Sequence, residues 1–95
     1  MIYFLQIFVS IIILFFSTHA ISESTLKILS TTSTRDSGFY NYILPIFEKK
    51  YGIKTYTINT GTGQAIMNAK NCNGDILITH STNLENEFVK NGYGL

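Results

Sequence analysis

Met1 to Phe16 form an almost wholly apolar run, interrupted by Gln6 and Ser10, and the first charged side chain is Glu23. Beyond it the pattern breaks into short periods. Leu26–Ser30 reads as a strand. Phe39, Ile43 and Phe47 recur at four-residue spacing with Tyr40, Leu44 and Tyr51 beside them, one apolar stripe of an amphipathic helix. Ser37 or Asp36 is the expected N-cap, and Gly52 the expected stop. Pro45 falls inside the stripe and predicts a kink or a restart there. Ile53–Ile58 is β-branched and aromatic, a second strand. Gln64–Lys70 is a short helix and Asn71–Gly74 a turn. Asp75–Thr79 is a third strand, apolar enough to be buried on both faces of a parallel sheet. Thr82 or Asn83 caps a last helix through Lys90, and Gly92 ends it.

Strands alternating with helices predict crossover connections and a parallel sheet, hence an α/β fold. In such sheets ligands gather beyond the carboxyl ends of the strands. Three connections start there: Ser30–Gly38, Asn59–Gln64 and His80–Asn83, all rich in hydroxyls, glycine or amides.

The apolar beginning reads as a secretory signal peptide over residues 1–20, cut after Ala20, with small residues at Thr18 and Ala20. Its amino-terminal region has no Lys or Arg, so the free amino group supplies the positive charge. The rival is an uncleaved anchor, which needs about 20 apolar residues. A cleaved leader implies a bacterial periplasmic location. The net charge of +1 gives no basic stripe, so nucleic acid is not an expected partner. The single cysteine, Cys72, cannot form an intramolecular disulfide.

The run Ser30-Thr31-Thr32-Ser33-Thr34 places five hydroxyls between a strand and a helix. Hydroxyls together with free helix-start N–H groups present only donors to an oxyanion. That suits a tetrahedral dianion without a proton, such as tungstate, molybdate or sulfate. Phosphate keeps a proton near neutral pH and needs an acceptor, for which Asp36 is available. Arg35 either reaches the ion, pairs with Asp36 or faces solvent. Gly61-Thr62-Gly63-Gln64 lacks the Lys-Ser/Thr of a phosphate-binding loop, but it opens a helix and offers N–H groups and the Thr62 hydroxyl. His80 is either a metal ligand, a base or a neutral lining residue. An enzyme reading would use Ser33 or Cys72 as nucleophile with His80 as base. No Ser-His-Asp elbow, carboxylate pair or Cys/His metal spacing supports catalysis.

The segment Ser30-Thr31-Thr32-Ser33-Thr34-Arg35-Asp36-Ser37-Gly38 resembles the Thr-Thr-Thr-Ser-Thr-Arg-Asp-Ser-Gly segment of the tungstate-binding proteins of ABC transporters. Leu44–Gly52, with Pro45 inside it, Gly61–Ala65 and Gly74–Ser81 are similar to further segments of that family. The resemblance runs from about Leu26 to Gly94. It implies a type II periplasmic binding protein: a parallel-sheet, three-layer α/β lobe paired with a second lobe across a cleft that holds the oxyanion. It implies Ser30, Thr31, Thr32 and Ser33 as oxyanion ligands, with Thr62, Gly63 and Gln64 in a second cleft loop. Ser30 stands where the family has Thr. It further implies tungstate or molybdate as ligand, no cofactor, a membrane permease as partner and no enzymatic activity.

Family members are much longer, so residues 21–95 are expected to be the first part of lobe 1 and the chain a truncated or split product. Such a chain is expected to bind tungstate weakly or not at all. The alternatives are a phosphate or sulfate receptor of the same architecture, an enzyme on a phosphorylated or acyl substrate, and a non-functional fragment with an exposed sheet edge.

Overall fold

A computed structural model describes residues 2–15 and 23–95. Helix α1 spans Ile2–Phe15 and has no acidic residue in its first turn and no basic residue in its last. The expected cut after Ala20 and its small residues Thr18 and Ala20 lie outside the described residues. No helix among the described residues is long and apolar enough to cross a membrane.

The rest alternates strand and helix: β1 (Thr25–Thr31), α2 (Thr32–Asp36), α3 (Phe39–Tyr51), β2 (Lys54–Thr60), α4 (Thr62–Lys70), β3 (Ile76–Leu77) and α5 (Thr82–Lys90). The sheet order is β2-β1-β3, with both pairings parallel. The α/β reading with a parallel sheet therefore holds. β1 is central, so its side chains form the core: Ile28, Leu29, Ser30 and Thr31 are all buried, together with Tyr40 of α3 and Ala65 and Ile66 of α4.

Alternation along β1 assigns the two faces. Leu26 and Ile28 share an apolar hollow of about 190 Å³ with Tyr40, Ile43 and Phe47 of α3. Leu29 points the other way. On that face the turn after α4 comes so close that a Cβ on Gly74 would sit 2.4 Å from Leu29 Cγ. The turn is fixed to β1 by a reciprocal pair: Lys27 N–H donates to Asp75 Oδ2 and Asp75 N–H donates to the Lys27 carbonyl, both at 2.8 Å.

Five expectations change. The hydroxyl run is not a loop, because Thr32–Asp36 closes into one helical turn. Neither Asp36 nor Ser37 is the N-cap of α3. Gly38 takes that position at φ +84°, a left-handed conformation that glycine adopts without strain. Ser37 Oγ still accepts from the Phe39 N–H at 3.3 Å. α3 does not restart at Pro45 but continues through it. Pro45 and Asn41, whose carbonyl the proline leaves without an N–H, are both exposed, so water can satisfy that carbonyl.

The third strand shrinks to two residues and is not buried on both faces, since Ile76 is 39% exposed. β3 lies at the sheet edge and its outer side has no strand partner among the described residues. β2 in turn runs two residues past Ile58, leaving Gly61 alone between it and α4.

One carboxylate fastens α3 to the other sheet edge. Glu48 Oε1 accepts from both the Thr55 hydroxyl and the Thr55 N–H at 2.7 Å. Those two bonds, the hydroxyl first, hold the Glu48 carboxyl below its ordinary value of 4.5, with Lys54 adding a smaller pull.

Two predictions follow from this packing. Gly74→Ala must displace the buried Leu29 or the turn and is expected to cost about 1–3 kcal/mol in urea unfolding. The Glu48 clasp stabilises the fold above the unfolded pKa of about 4.5 and is lost as pH falls through the lower folded value. The melting-temperature gap between wild type and Glu48→Gln should narrow on acidification from about pH 7 to about pH 3.

Candidate functional site at the carboxyl edge of the sheet

β1 and β2 end level with each other: Ser30 pairs with Asn59 and Thr31 with Thr60. α2 begins at the next residue of one strand, and α4 two residues beyond the other. The third connection is level with them, since the Ile78 N–H donates to the Leu29 carbonyl at 2.9 Å before the chain reaches α5 at Thr82. Three helix starts therefore meet at one edge. The first N–H groups of a helix lack intrahelical acceptors. In α4 the Ala65 N–H, which reaches the Gly61 carbonyl at 3.0 Å, closes the first turn and leaves those of Thr62, Gly63 and Gln64 free of it.

The hydroxyl run divides into an inner and an outer pair. Ser30 is fully buried. Its Oγ accepts from the Tyr40 hydroxyl and donates its own proton to the Ile78 carbonyl at 2.8 Å. Thr31 is 2% exposed and is the N-cap of α2, with Oγ1 accepting from the Thr34 N–H at 3.3 Å. The expectation that the Ser30 and Thr31 hydroxyls are free toward a ligand therefore meets bonds already made inside the protein.

Thr32 and Ser33 are exposed at the first turn of α2. Ser33 Oγ lies 2.9 Å from His80 Nε2 and 3.2 Å from Thr31 Oγ1. On the second connection Thr62 is half-buried, while Gly63 and Gln64 are exposed. The Gln64 side-chain amide donates along α4 to Asn68 Oδ1 at 3.0 Å, so its backbone N–H is the group left at the edge.

The remaining candidates separate. Arg35 is paired with Asp36 at 2.9 Å, and both are exposed. Cys72 is a free, exposed thiol at φ +57° in the turn that leads into β3, at the amino end of the sheet and away from Ser33. Among the described residues no cluster of three His, Cys, Asp or Glu could hold a metal ion.

Two participants escape a sequence reading. Tyr40 belongs to the apolar stripe of α3, and nothing in its spacing marks it as the partner of Ser30. The Ile78 carbonyl carries no residue-type signal at all. His80 was visible, but its partner Ser33 is 47 positions away.

A family model described as "PBP superfamily domain" matches residues 18–94. The chain belongs to the PBP superfamily. Its α/β sheet corresponds to a partial lobe of a periplasmic binding protein. Among members of known name, it is 42% identical over 74 residues to the tungstate-binding protein TupA of Peptoclostridium acidaminophilum. That alignment covers 78% of this chain and 26% of the relative.

Solved structures resemble it as well. The tungstate ABC transporter structure from Geobacter sulfurreducens superposes with a TM-score of 0.72 at 42% identity, over 75% of this chain and 31% of that one. A conserved functionally unknown protein from Vibrio parahaemolyticus superposes at 0.74 with 40% identity, over 76% and 31%. The chain spans about a quarter of the length of the curated relatives it matches.

Ser30→Ala would strand the Tyr40 hydroxyl and the Ile78 carbonyl without their shared partner. It is expected to cost about 1–3 kcal/mol in chemical unfolding, whereas Tyr40→Phe, which leaves the Ser30–Ile78 bond intact, costs about 0.5–1.5 kcal/mol.

Proposed function

We propose that this chain supplies one wall of an oxyanion-binding cleft in the substrate-binding component of an ABC transporter, with tungstate or molybdate as ligand and a membrane permease as the partner that receives it. The observation that carries the reading is the level convergence of three helix starts at the carboxyl edge, with Ser33 standing between two of the connections. The sequence likeness to proteins named for tungstate supports the choice of anion.

In this reading the ligand meets donors only. The Thr32, Ser33 and Thr62 hydroxyls and the N–H groups of Thr32, Ser33, Thr62, Gly63 and Gln64 face it. Ser30 and Thr31 act one layer below, holding the edge in shape. Asp36, the acceptor a protonated phosphate would need, is engaged by Arg35, which favours an anion without a proton. Each bond to the charged ligand contributes about 1.5–3 kcal/mol. Residues 1–20 are proposed as a cleaved leader that delivers residues 21–95 to the periplasm, as part of a two-lobed receptor's first lobe.

The Ser33–His80 contact also fits a second reading, a hydrolase in which His80 activates Ser33. That reading lacks an orienting third group, since no carboxylate is bonded to the His80 ring among the described residues.

Titration of the chain with sodium tungstate, followed by backbone amide shifts, tests the proposal. Saturable shifts at Thr32, Ser33 and Gly63 are expected, with affinity weaker than nanomolar because one wall binds alone. Ser33→Ala should weaken binding roughly tenfold or more. No response at millimolar tungstate, or Ser33-dependent release of p-nitrophenol from an acyl or phosphoryl ester, would sink it.

A further inference from the structure

We propose that His80 is a specificity-determining residue of the cradle: acting through the Ser33 hydroxyl, it sets how tightly a dianion is held and discriminates against oxyanions that carry a proton. This rests on the oxyanion reading above.

The geometry is a shared proton. A hydroxyl has one proton to give. With Nε2 unprotonated, His80 accepts that proton from Ser33 across 2.9 Å and competes with the ligand for it. With Nε2 protonated, whether in the neutral Nε2–H tautomer or in the imidazolium, the ring donates to Ser33 Oγ instead, and the Ser33 proton turns to the ligand. Binding of a dianion and protonation of Nε2 therefore favour each other, and the imidazolium adds a positive charge beside the ion.

The segment that carries the ring is anchored. Ile78, two residues before it, is pinned by the buried Ser30 hydroxyl, and the Thr79 hydroxyl donates to Glu85 Oε1 of α5 at 2.6 Å. On the adjoining elements the charged groups are Arg35 and Asp36 of α2, paired with each other, and Glu85 of α5, whose carboxylate accepts from the Thr79 hydroxyl and keeps its charge. The first turn of α4, Thr62-Gly63-Gln64, carries no charge.

Selectivity follows from the same proton. Once Nε2 is protonated the cradle contains donors alone. Tungstate or molybdate then finds every oxygen matched, whereas hydrogen phosphate has an O–H with no acceptor.

Sign and size follow from linkage. The bound state raises the proton affinity of His80. The added affinity is greatest at low pH and is lost as pH rises. The test is an NMR titration of the His80 ring in the full chain, with and without sodium tungstate kept dilute enough to remain monomeric. Backbone amides of Ser33 and Gly63 report occupancy independently.

A rise of the His80 midpoint by about one unit on binding is expected, with a dissociation constant that grows roughly tenfold between about pH 6 and about pH 8. His80→Gln, whose amide still donates to Ser33, should bind with a flat pH profile and keep its discrimination against phosphate across the whole pH range. If the amides respond to tungstate but the His80 midpoint stays put, this proposal is overturned and the cradle reading stands. If the amides do not respond, the cradle reading falls and takes this inference with it.

Discussion

The hydroxyl of Ser30 is the joint on which the carboxyl edge depends. It sits at the last inward position of the central strand, receives the Tyr40 hydroxyl from α3 and donates to the backbone that follows β3. Two side chains and one carbonyl thus fasten a helix and the third connection to the same point of β1. All three groups are polar, and Ser30 is fully buried. Removing the Ser30 hydroxyl would leave the other two without partners in a medium where an unmet donor or acceptor is costly. The heights of the three connections, and with them the distance between Ser33 and His80, follow from this joint.

Around it the core is thin. Leu29 is fully enclosed by α4 and the Gly74 turn. Ile28 faces a hollow that α3 covers from above. α3 itself is only half used: Tyr40 is buried, while Phe39, Tyr42 and Ile46 remain largely exposed along the same helix. The Glu48–Thr55 clasp compensates at the β2 edge by pairing an N–H that a strand neighbour would otherwise take. A sheet of three strands with one edge so short depends on such side-chain bonds more than a wider sheet does.

Much of this was legible in the sequence. The order of strands and helices, the parallel sense of the sheet, the stops at Gly52 and Gly92 and the location of the polar edge all followed from apolar period and glycine placement. The failures share a cause. Whether Ser30 points inward, whether Thr31 caps, and whether Glu48 reaches Thr55 depend on pairings across space, which periodicity does not carry. The Ser-Thr run has weak helical preference, so α2 is invisible until the Thr31 cap is seen to close it. The restart expected at Pro45 does not occur, because the stranded carbonyl belongs to an exposed residue.

The division of the hydroxyl run into Ser30 and Thr31 beneath and Thr32 and Ser33 above has a consequence for how such a protein can change. Neighbouring codons answer to different demands: two are bound to the architecture, and the next two are exposed, with Ser33 still reaching back to Thr31 and across to His80. In the proposed reading a lineage would adjust its cargo at the outer pair while the inner pair keeps the scaffold folded, with the Thr31–Ser33 contact as the one tie between them.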